Sequence, residues 1–505
     1  MIRVVTDYLE ETAERFPNKT AFVDGVKSIT FGELRENALR IANGMIRKEL
    51  FKKPIAIFLE KGIECIESLL GVAYSGNYYT IIDISMPEQR IQKILENLNP
   101  VGIITDGKYQ EKIQEISHTE HIFLYEGLIA IPCEEKAVLS VNRKVIDSDV
   151  LYVLYTSGST GVPKGVITSH RAVKGYLEAG TEAFKMDSET VIGNQAPFYF
   201  VISVIDIYYT IKNGGTTHII PKEYFTFPGK LVRYIAENRI SFLNWVSSAL
   251  SVVANYRAFN KADMSCVKTV IFSGEVMPIK HLNAWMDALP QTTFINGYGS
   301  TEVTDNATYF VINRRFKETD RLPLGIPLGN TSVLVLNEDN LPARPDESGE
   351  LCVRGTNLSY GYYNDPERTE KVFVQNPLNT TYREMIYRTG DIVRFNEYGE
   401  IEYVGRKDFQ IKHMGHRIEL GEIEVNITSI DGVDEVCCAY DSEHQRICAF
   451  YTGSIEEEEL GEEIKKLVPV YMYPNKRIHL DTMPHNLNGK IDRARISREW
   501  VKSVR

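Results

Sequence analysis

Short apolar segments alternate with amphipathic stretches through the first two thirds of the chain. The apolar segments are PIAIFLE, VGIITD, VLYVLYT, KTVIFSG and TTFINGYG, and each is closely followed by Gly, Ser or Asp. Between them, stretches such as ECIESLLGVAYSG and PGKLVRYIAENRI have the apolar spacing of helices that face a core. Strands that alternate with helices form βαβ units, so the pattern predicts largely parallel sheets whose strand ends carry the ligands.

The pattern changes after about residue 350. GELCVRG, DIVRFNEYGEIEYVGR and FQIKHMGHRIE alternate polar and apolar residues as antiparallel hairpins do. Residues 408–505 have their own strands, VDEVCCAYD and QRICAFYT, and an acidic run that we interpret as a solvated loop or a helix start. We therefore predict an α/β fold with domains 1–407 and 408–505. The first is a body of mostly parallel sheets and helices with an antiparallel, barrel-like part, and the second is a small, mobile α+β domain.

Composition narrows the class of protein. A chain of 505 residues is too long for one core, which agrees with two domains. The net charge of -11 argues against binding to nucleic acid or to an anionic membrane surface. The seven cysteines form no CxxC pair, so we expect free thiols in a reducing cytosol. The N-terminus has no signal peptide, and no apolar run reaches the roughly 20 residues of a membrane span, so we predict a soluble, cytoplasmic protein.

The segment YTSGSTGVPKG, residues 155–165, directly follows the apolar strand VLYVL. Its small residues let backbone N–H groups converge on an anion, its hydroxyls add donors, and its lysine adds a positive charge. It is not a Walker loop, because Val-Pro-Lys-Gly follows Gly161. A Ser/Gly run alone is most often a turn, but a lysine after a buried strand favours a phosphate loop. The candidate phosphate-binding residues are Thr156, Ser157, Gly158, Ser159, Thr160, Gly161 and Lys164.

A second motif, NGYGSTE at residues 296–302, also follows an apolar strand. Tyr298 offers an aromatic face to a base, the glycines allow close backbone approach, and Glu302 is a hard oxygen ligand for Mg²⁺. A dinucleotide fingerprint is excluded, because Glu302 stands where a third glycine belongs. Taken alone, this motif is better explained as a tight turn.

Three later segments add charged groups. YRTGD ends at Asp391, a carboxylate able to accept both ribose hydroxyls. GRKD at residues 405–408 places cations near phosphates, and NGKID places Lys490 on a turn near the C-terminus. Each of these segments alone is more often a surface turn.

In this order and spacing, the motifs resemble those of the adenylate-forming superfamily, which comprises acyl-CoA synthetases, luciferases and the adenylation domains of nonribosomal peptide synthetases. The likeness is strongest to those adenylation domains and to stand-alone D-alanine–carrier protein ligases, and it covers essentially the whole chain. YYTIIDISMPEQRIQKIL, YGYYNDPERTEKVF, GRKDFQIKHMGHRIELGEIE and YMYPNKRIHLDTMPHNLNGKID are similar to further family motifs. The resemblance implies an acid–thiol ligase that uses ATP to form acyl-AMP and pyrophosphate, and then a thioester.

The resemblance also implies roles for individual residues. Residues 156–165 would hold the β- and γ-phosphates, with Thr160, Lys164, Glu302 and Lys490 as catalytic groups. Mg²⁺ would be bound by Glu302 and Thr160. The nucleotide would lie against the second motif and the ribose carboxylate, through Asn296, Gly297, Tyr298 (adenine), Gly299, Ser300, Thr301 (α-phosphate), Asp391 (ribose), Tyr403 and Arg406.

Lys490 would bridge the substrate carboxylate and the α-phosphate, by the same resemblance. A carboxylate attacking a triphosphate meets like-charge repulsion, which a lysine and Mg²⁺ offset, so no covalent protein nucleophile is needed. Asp408 resembles the family's hinge, at which the small domain rotates after adenylation, removes Lys490 and opens a channel for a thiol.

The expected acceptor is the phosphopantetheine thiol of a separate carrier protein. Nothing before the last residue, Arg505, resembles the Gly-Gly-x-Ser attachment site of a fused carrier domain. Coenzyme A is the weaker alternative, and Phe200, at a position where many acyl-CoA synthetases have His, favours the carrier slightly.

The substrate pocket departs from the family pattern. The segment that normally reads Phe-Asp-x-Ser has Val201 in place of the Asp that binds an α-ammonium, so we do not expect an α-amino acid, D-alanine included. Aryl-acid members usually carry Asn at that position. Asp206 is expected one helical turn beyond the pocket. The inferred pocket residues are Phe200, Val201, Ile202, Ile205, Ser248, Ile271, Ser273, Gly297, Asp305, Asn306 and Lys490.

An apolar first position together with Ile271 and Ser273 resembles pockets that accept β-alanine. Asp305 offers a displaced anion for an amine further from the carboxylate, or an acceptor for a hydroxyl such as a phenol. We therefore favour a small β-amino acid over a hydroxy-substituted aryl acid. The motifs are also compatible with an acyl-CoA ligase or with a non-catalytic nucleotide-binding scaffold, and the scaffold is disfavoured because Lys490, Glu302 and Asp391 are all present.

Overall fold

The computed structural model describes residues 2–158, 161–345, 347–485 and 491–501. The chain divides into two compact units. Unit 1 comprises Met1–Ile84, Leu98–Leu154 and Gly165–Lys407, and unit 2 comprises Ser85–Asn97, Tyr155–Lys164 and Asp408–Arg505. The units differ from the predicted domains, because two earlier segments join residues 408–505; the functional boundary at Asp408 stays a prediction.

The strands, in chain order, are β1 Thr20–Asp24, β2 Lys27–Thr30, β3 Pro54–Phe58, β4 Tyr78–Ile81, β5 Gly102–Thr105, β6 His121–Leu124, β7 Val150–Thr156, β8 Lys164–Ser169, β9 Val191–Asn194, β10 Thr216–Ile219, β11 Phe242–Val246, β12 Thr269–Ser273, β13 Thr293–Ser300, β14 Asp305–Val311, β15 Ile326–Pro327, β16 Thr331–Leu336, β17 Gly349–Gly355, β18 Phe373–Gln375, β19 Met385–Phe395, β20 Ile401–Arg406, β21 Gln410–His413, β22 His416–Glu419, β23 Val433–Asp441, β24 Arg446–Gly453 and β25 Lys476–His479.

The helices are α1 Val5–Arg15, α2 Phe31–Ile46, α3 Ile63–Tyr74, α4 Glu88–Leu98, α5 Gln110–Ile116, α6 Tyr125–Ile129, α7 Glu135–Asn142, α8 His170–Ala183, α9 Ser203–Asn213, α10 Pro228–Glu237, α11 Ser247–Asn255, α12 Ile279–Ala288, α13 Pro366–Val372, α14 Leu420–Thr428, α15 Glu457–Leu467 and α16 Arg493–Arg495. Short 3₁₀ turns cover Lys222–Thr226, Ala258–Lys261, Thr301–Val303 and Val470–Met472, and a π-helical turn covers Ile496–Trp500.

Unit 1 is built on two largely parallel sheets. Its described strands include a nine-stranded sheet in the order β15-β14-β13-β12-β11-β9-β10-β1-β2, parallel from β13 to β1 and antiparallel at both edges. A second sheet has the order β6-β5-β3-β4-β7-β8, with parallel pairs from β6 to β7. The short apolar segments singled out in the sequence are the inner strands β3, β5, β7, β12 and β13, as expected for strands buried on both faces.

Helices cover these sheets through two apolar cores. One core joins α1, α2, α3 and α9 to both sheets, and the other joins α10, α11 and α12 to β11 and β12. The start of α2 has a capping box, in which Glu33 N–H donates to Thr30 Oγ1 at 3.3 Å and Thr30 N–H donates to Glu33 Oε2 at 2.9 Å. The antiparallel strands predicted after residue 350 form a third sheet of unit 1, β16-β17-β19-β18, with β20 paired to β19.

Unit 2 has a small sheet of its own. Strands β23 and β24 are antiparallel, β25 is parallel to β24, and β21 and β22 form a separate hairpin. Helices α14 and α15 pack on the β23–β24 pair through Ile423, Ile427, Leu460 and other buried residues. The acidic run is a helix start, with three glutamates in the first turn of α15, where the helix dipole favours negative charge.

The predicted fold class is confirmed, because a mixed α/β body with mostly parallel sheets carries an antiparallel sheet. Among the described helices, none has both the length and the apolar character that crossing a membrane requires.

Candidate active site

The predicted ribose carboxylate, Asp391, is fixed by two side chains of unit 1. Tyr298 Oη donates to Asp391 Oδ2 at 2.5 Å, and Arg406 Nη1 donates to Asp391 Oδ1 at 2.9 Å. Asp391 and Arg406 are register partners on β19 and β20, and Arg406 Nη1 also donates to the carbonyl of Thr389 at 2.9 Å. The structure thus brings together three predicted nucleotide-binding residues.

Tyr298 lies in a small apolar cluster with Leu324, Val335 and Leu351, and it is 7% exposed. Burial is the main cause that raises the pKa of its phenol well above the ordinary value, and the neighbouring charge of Asp391 adds to it. The phenol therefore stays protonated and remains a donor to the carboxylate. Tyr403 packs against the same cluster.

The glycines of the NGYGSTE motif allow two strands to approach closely. A Cβ atom on Gly299 would lie 1.6 Å from the carbonyl oxygen of Asp305, and one on Gly297 would lie 2.4 Å from Asn306 Oδ1. The pairing of β13 with β14 also shifts register between Tyr298 and Gly299. The motif is thus the start of a tight hairpin that places Asp305 and Asn306 beside the glycines. Asn296 Nδ2 anchors the strand by donating to the carbonyl of Pro323 at 2.8 Å.

Glu302 follows this strand and is fully buried. The hydroxyl of Tyr362 donates to Glu302 Oε1 at 2.7 Å, and the N–H of Ser359 donates to the Glu302 carbonyl at 2.9 Å. Ser300 and Thr301 precede it in the sequence, and Ser300 Oγ has no hydrogen-bond partner among the described residues. The predicted metal ligand is therefore a buried carboxylate oriented by a phenol.

Asp305 is a second buried carboxylate of unit 1. It is 3% exposed, and its Oδ2 accepts from Tyr176 Oη at 2.6 Å and from Asn306 Nδ2 at 2.9 Å. The backbone that presents it is unusual for L residues, with φ of 54° at Thr304 and 78° at Asp305. Gly297, Asp305 and Asn306, three of the predicted pocket residues, lie together.

The remaining predicted pocket residues lie around the start of α9 and the ends of β11 and β12. Ile202 and Ile205 are buried, and a Cβ atom on Gly274 would lie 3.8 Å from Ile202 Cδ1. Ser248 N–H donates to Glu275 Oε2 at 3.1 Å. The buried residues Ile271 and Ser273 lie on β12, and Ser273 Oγ has no hydrogen-bond partner in the described part of the chain. Phe200 stacks edge-on against Tyr199, and Val201 packs against the larger core.

Asp206 lies on α9, one turn after Ile202, and is fully buried. Burial raises the pKa of its carboxyl to about 8, although a hydrogen bond from Asn194 and the charge of Lys61 oppose the shift. Asn194 Nδ2 donates to Asp206 Oδ2 at 2.5 Å, whereas Asp206 Oδ1 and the side-chain oxygens of Asn194 and Asn244 lack partners among the described residues. Asp206 was expected one helical turn beyond the pocket, but its hydrogen bond with Asn194 was not predicted.

Most of the predicted phosphate loop belongs to unit 2. Gly158 N–H donates to Glu422 Oε2 at 2.9 Å, Ser157 Oγ donates to the carbonyl of Arg417 at 2.6 Å, and Lys164 Nζ lies 3.8 Å from Glu419 Oε1. Thr156 Oγ1 is buried and lacks a partner within the described residues. Gly161 has φ of 77°, which favours glycine.

Three predicted residues, Ser159, Thr160 and Lys490, lie outside the described residues. Asp408 begins the last segment of unit 2, and its Oδ1 accepts from the N–H of Gln410 at 3.2 Å. Lys407, next to it, pairs with Glu350 in unit 1 at 3.2 Å.

Sequence reasoning did not find the partners that orient the site. Tyr176, Tyr362 and Glu422 lie 129, 60 and 264 residues from the groups they contact. For Glu422 a signal was available, since it falls in GHRIELGEIE, a segment already compared with a family motif. Tyr362 likewise falls in YGYYNDPERTEKVF. Nothing comparable marks Tyr176.

The profile of the AMP-binding enzyme family matches residues 9–363. The chain belongs to this family. It is 32% identical over 501 residues to surfactin synthase subunit 1 of Bacillus subtilis (strain 168), a match that covers 97% of this chain and 14% of that protein. The chain thus spans a small part of that relative.

Solved structures share the fold. An artificially fused adenylation–PCP di-domain nonribosomal peptide synthetase from Klebsiella oxytoca, NpsA-ThdA, has a TM-score of 0.82 at 22% identity, covering 94% of each chain. The o-succinylbenzoate CoA synthetase of Bacillus subtilis has a TM-score of 0.82 at 18% identity, covering 97% of each chain. The predicted membership of the adenylate-forming ligases, which activate carboxylates with ATP, is confirmed. The individual site residues stay predictions.

Proposed function

We propose that this chain activates a small carboxylic acid with ATP, releasing pyrophosphate, and transfers the acyl group from acyl-AMP to a carrier protein that acts in trans. The observation that supports this best is Asp391, held by Tyr298 and Arg406 in a chain of the AMP-binding family. A carboxylate has about four acceptor positions on its two oxygens. Among the described contacts, these neighbours account for two of them, and a carboxylate held in this way has the acceptor chemistry that the vicinal hydroxyls of a ribose require.

The chemistry joins two anions. A carboxylate oxygen of the acid forms a bond to the α-phosphorus, and the bond from that phosphorus to pyrophosphate breaks. Positive charge beside the reacting oxygens lowers the barrier, and we infer that Lys490 supplies it without forming a covalent intermediate. The thiol of the carrier's phosphopantetheine then forms a bond to the acyl carbon as AMP leaves.

Glu302 has the properties expected of a ligand to Mg²⁺. It is a buried hard-oxygen donor whose orientation is set by Tyr362. The described residues contain no group of three His, Cys, Asp or Glu side chains that could hold a metal by themselves. That fits Mg²⁺, which is usually bound by one or two carboxylates together with phosphates and water. Glu302, with Thr160, would hold the ion, and bound Mg²⁺ would neutralise charge on the phosphate oxygens.

The direct test is carboxylate-dependent exchange of pyrophosphate into ATP, measured with a panel of acids. We expect one class of small acids to drive exchange, and Lys490→Ala to abolish it. The same variant should retain much of the thiol transfer from supplied acyl-AMP. An equal loss of both steps would refute the role of Lys490, and absence of both exchange and ATP binding would refute the proposed activity.

The substrate we favour is a β-amino acid such as β-alanine. Val201 cannot pair with an ammonium beside the reacting carboxylate, whereas Asp305 is a buried anion further along the inferred pocket. Tyr176 and Asn306 fix the carboxylate of Asp305, so it would meet an amine without reorganisation. The distance between amine and carboxylate in the substrate then decides which acids fit.

Asp305→Asn tests this preference, because the amide keeps an acceptor for Tyr176 but loses the charge. The kcat/KM for exchange with β-alanine should fall. The loss should correspond to several kcal/mol at most, the scale of a broken buried ion pair. Val201→Asp should shift preference toward α-amino acids. Exchange by β-alanine that is unaffected in Asp305→Asn would rule out this anchor.

A hydroxy-substituted aryl acid is the second candidate, and one contact favours it. Asp305 already accepts from a phenol, that of Tyr176. A substrate phenol could bind in the same way. Exchange driven by a hydroxybenzoate and by no amine would select this candidate over the first.

Whether a carrier protein or coenzyme A accepts the acyl group requires a separate experiment. The fold is shared with the adenylation–PCP fusion and with the CoA synthetase at the same TM-score of 0.82, so the fold does not distinguish a carrier from coenzyme A. Loading of purified carrier proteins and of coenzyme A should be measured side by side. We expect the carrier to be loaded faster, and faster loading of coenzyme A would favour the acyl-CoA ligase. A chain that binds ATP but activates no acid would be a scaffold.

A further inference from the structure

Two glutamates of unit 2 contact the described part of the phosphate loop. Gly158 N–H donates to Glu422 Oε2 at 2.9 Å, and Lys164 Nζ lies 3.8 Å from Glu419 Oε1. A backbone N–H and a lysine ammonium are the groups with which such a loop binds phosphate. In this structure both face carboxylates of the protein itself.

Glu422 is held firmly in this position. Its side chain is 1% exposed, and its Oε1 forms a salt bridge with Nη1 of Arg90, which is 6% exposed. Each carboxylate oxygen therefore has its own partner, Arg90 on one side and Gly158 on the other. Glu422 lies in the first turn of α14, where Asn426 Nδ2 donates to its carbonyl at 2.8 Å. A carboxylate fixed in this way loses little entropy when it pairs with the loop.

The loop also contacts α4, β22 and α14 of unit 2 at other points. Lys93 Nζ donates to the carbonyl of Gly161 at 3.2 Å, and a Cβ atom on Gly161 would lie 2.8 Å from Val425 Cγ1. Ser157 Oγ donates to the carbonyl of Arg417 at 2.6 Å. Both described ends of the loop thus pack in unit 2, and a small residue at position 161 is required for that packing.

Phosphate cannot use the Gly158 donor while Glu422 holds it. A backbone N–H makes one well-aligned hydrogen bond. A carboxylate and a triphosphate at the same donor would also repel each other, and buried charges are little screened by salt. The two anions therefore compete for the loop.

We propose that Glu422, oriented by Arg90 and assisted by Glu419, is an internal anion that occupies the donors of the phosphate loop, so that this packing and triphosphate binding exclude each other. The inference rests on the proposed function, which assigns the loop to the β- and γ-phosphates. ATP must then displace Glu422 to bind. The return of Glu422 to Gly158 after bond cleavage favours the departure of pyrophosphate. These are positioning residues, since they act through the loop.

The test is the affinity of the full chain for ATP and for pyrophosphate, measured by calorimetry without acid substrate. The double variant Arg90→Gln/Glu422→Gln removes both charges of the buried pair, so neither is left unpaired. We expect both ligands to bind about tenfold more tightly, equivalent to about 1.4 kcal/mol. Release of pyrophosphate in single-turnover experiments should slow. Glu462→Gln is the matched control, because Glu462 is an exposed glutamate of unit 2 that pairs with Lys465.

Glu419→Gln is the milder variant, since it leaves the Arg90–Glu422 pair intact. We expect about threefold tighter binding of ATP, because the variant weakens an ion pair with Lys164 whose charged atoms lie 3.8 Å apart. If circular dichroism shows that the double variant is unfolded, Glu419→Gln decides alone. Affinities that are unchanged or weaker in the folded variants would overturn the proposal. A wild-type chain that binds no ATP would instead overturn the proposed function.

Discussion

Asp391, the proposed ribose ligand, is oriented by neighbours that are distant in the sequence. Its two partners lie 93 and 15 residues away in the sequence, and each contacts a different oxygen. The Arg406 guanidinium supports the charge, while the Tyr298 hydroxyl sets the direction of the carboxylate plane. The hydroxyl's contribution to nucleotide binding can be removed without altering either charge.

Tyr298→Phe removes that hydroxyl and keeps the aromatic ring. A hydrogen bond to a charged group contributes about 1.5–3 kcal/mol. We expect the KM for ATP in the exchange reaction to rise by about tenfold or more, because Asp391, the proposed ribose ligand, loses its orientation. The KM for the acid should change little. Tyr398→Phe alters an exposed tyrosine of the same unit and should leave both constants unchanged.

The raised pKa of Asp206 predicts how the free energy of unfolding depends on pH. Burial raises the pKa of its carboxyl to about 8, well above the value near 3.9 of an unfolded chain. Between these two pH values the folded state retains a proton that the unfolded state has lost. Unfolding free energy should therefore fall as pH rises from about 4 to about 8, with a slope of at most about 1.4 kcal/mol per pH unit.

Asp206→Asn should remove this decline. Asparagine cannot ionise, and it retains an acceptor for Asn194. Urea denaturation at several pH values would show the difference between the variant and wild type growing toward pH 8. Asp339→Asn, at an exposed site, should follow wild type. A wild-type curve and an Asp206→Asn curve that stay parallel would contradict the assigned pKa.

At the scale of elements, apolar runs and turn residues predicted several inner strands and the parallel or antiparallel character of the sheets, but not the strand order. The inner strands follow the apolar segments, and the hairpins after residue 350 follow the alternation of polar and apolar residues. The candidate nucleotide residues Tyr298, Asp391 and Arg406 were also found from their motifs. The contacts between these elements were not, because side-chain pairs such as Tyr176 with Asp305 depend on how helices and strands pack rather than on local spacing.

The β13–β14 hairpin offers a matched pair of glycine substitutions. A Cβ atom on Gly299 would lie 1.6 Å from the Asp305 carbonyl oxygen, whereas one on Gly405 would meet no atom within 4 Å. Gly299→Ala must therefore push the two strands apart, at a cost of about 1–3 kcal/mol or more. It should also displace Asp305 and impair exchange. Gly405→Ala should change the midpoint of urea unfolding little. Equal midpoints for the two variants would contradict the close approach.

At the scale of the whole molecule, the chain passes from unit 1 to unit 2 at more than one place. Ser85–Asn97 and Tyr155–Lys164 belong with residues 408–505 in unit 2. The pattern of apolar and polar residues predicted the division near residue 408 but gave no sign of the two earlier segments. Their membership depends on contacts such as the Arg90–Glu422 salt bridge, which joins residues 332 positions apart.

In our proposal, the backbone rotates at Asp408 after adenylation and before thiol transfer. A variant that blocks this rotation should therefore affect the second half-reaction only. Proline at this position fixes φ near −65° and removes one N–H. Asp408→Pro should therefore form acyl-AMP at near wild-type rate, measured by pyrophosphate exchange, while loading of the carrier falls by at least about tenfold, or about 1.4 kcal/mol in the barrier. Asp408→Ala loses the side-chain contact with Gln410 but keeps a free backbone, so it should load the carrier. Near wild-type loading by the proline variant would place the pivot elsewhere.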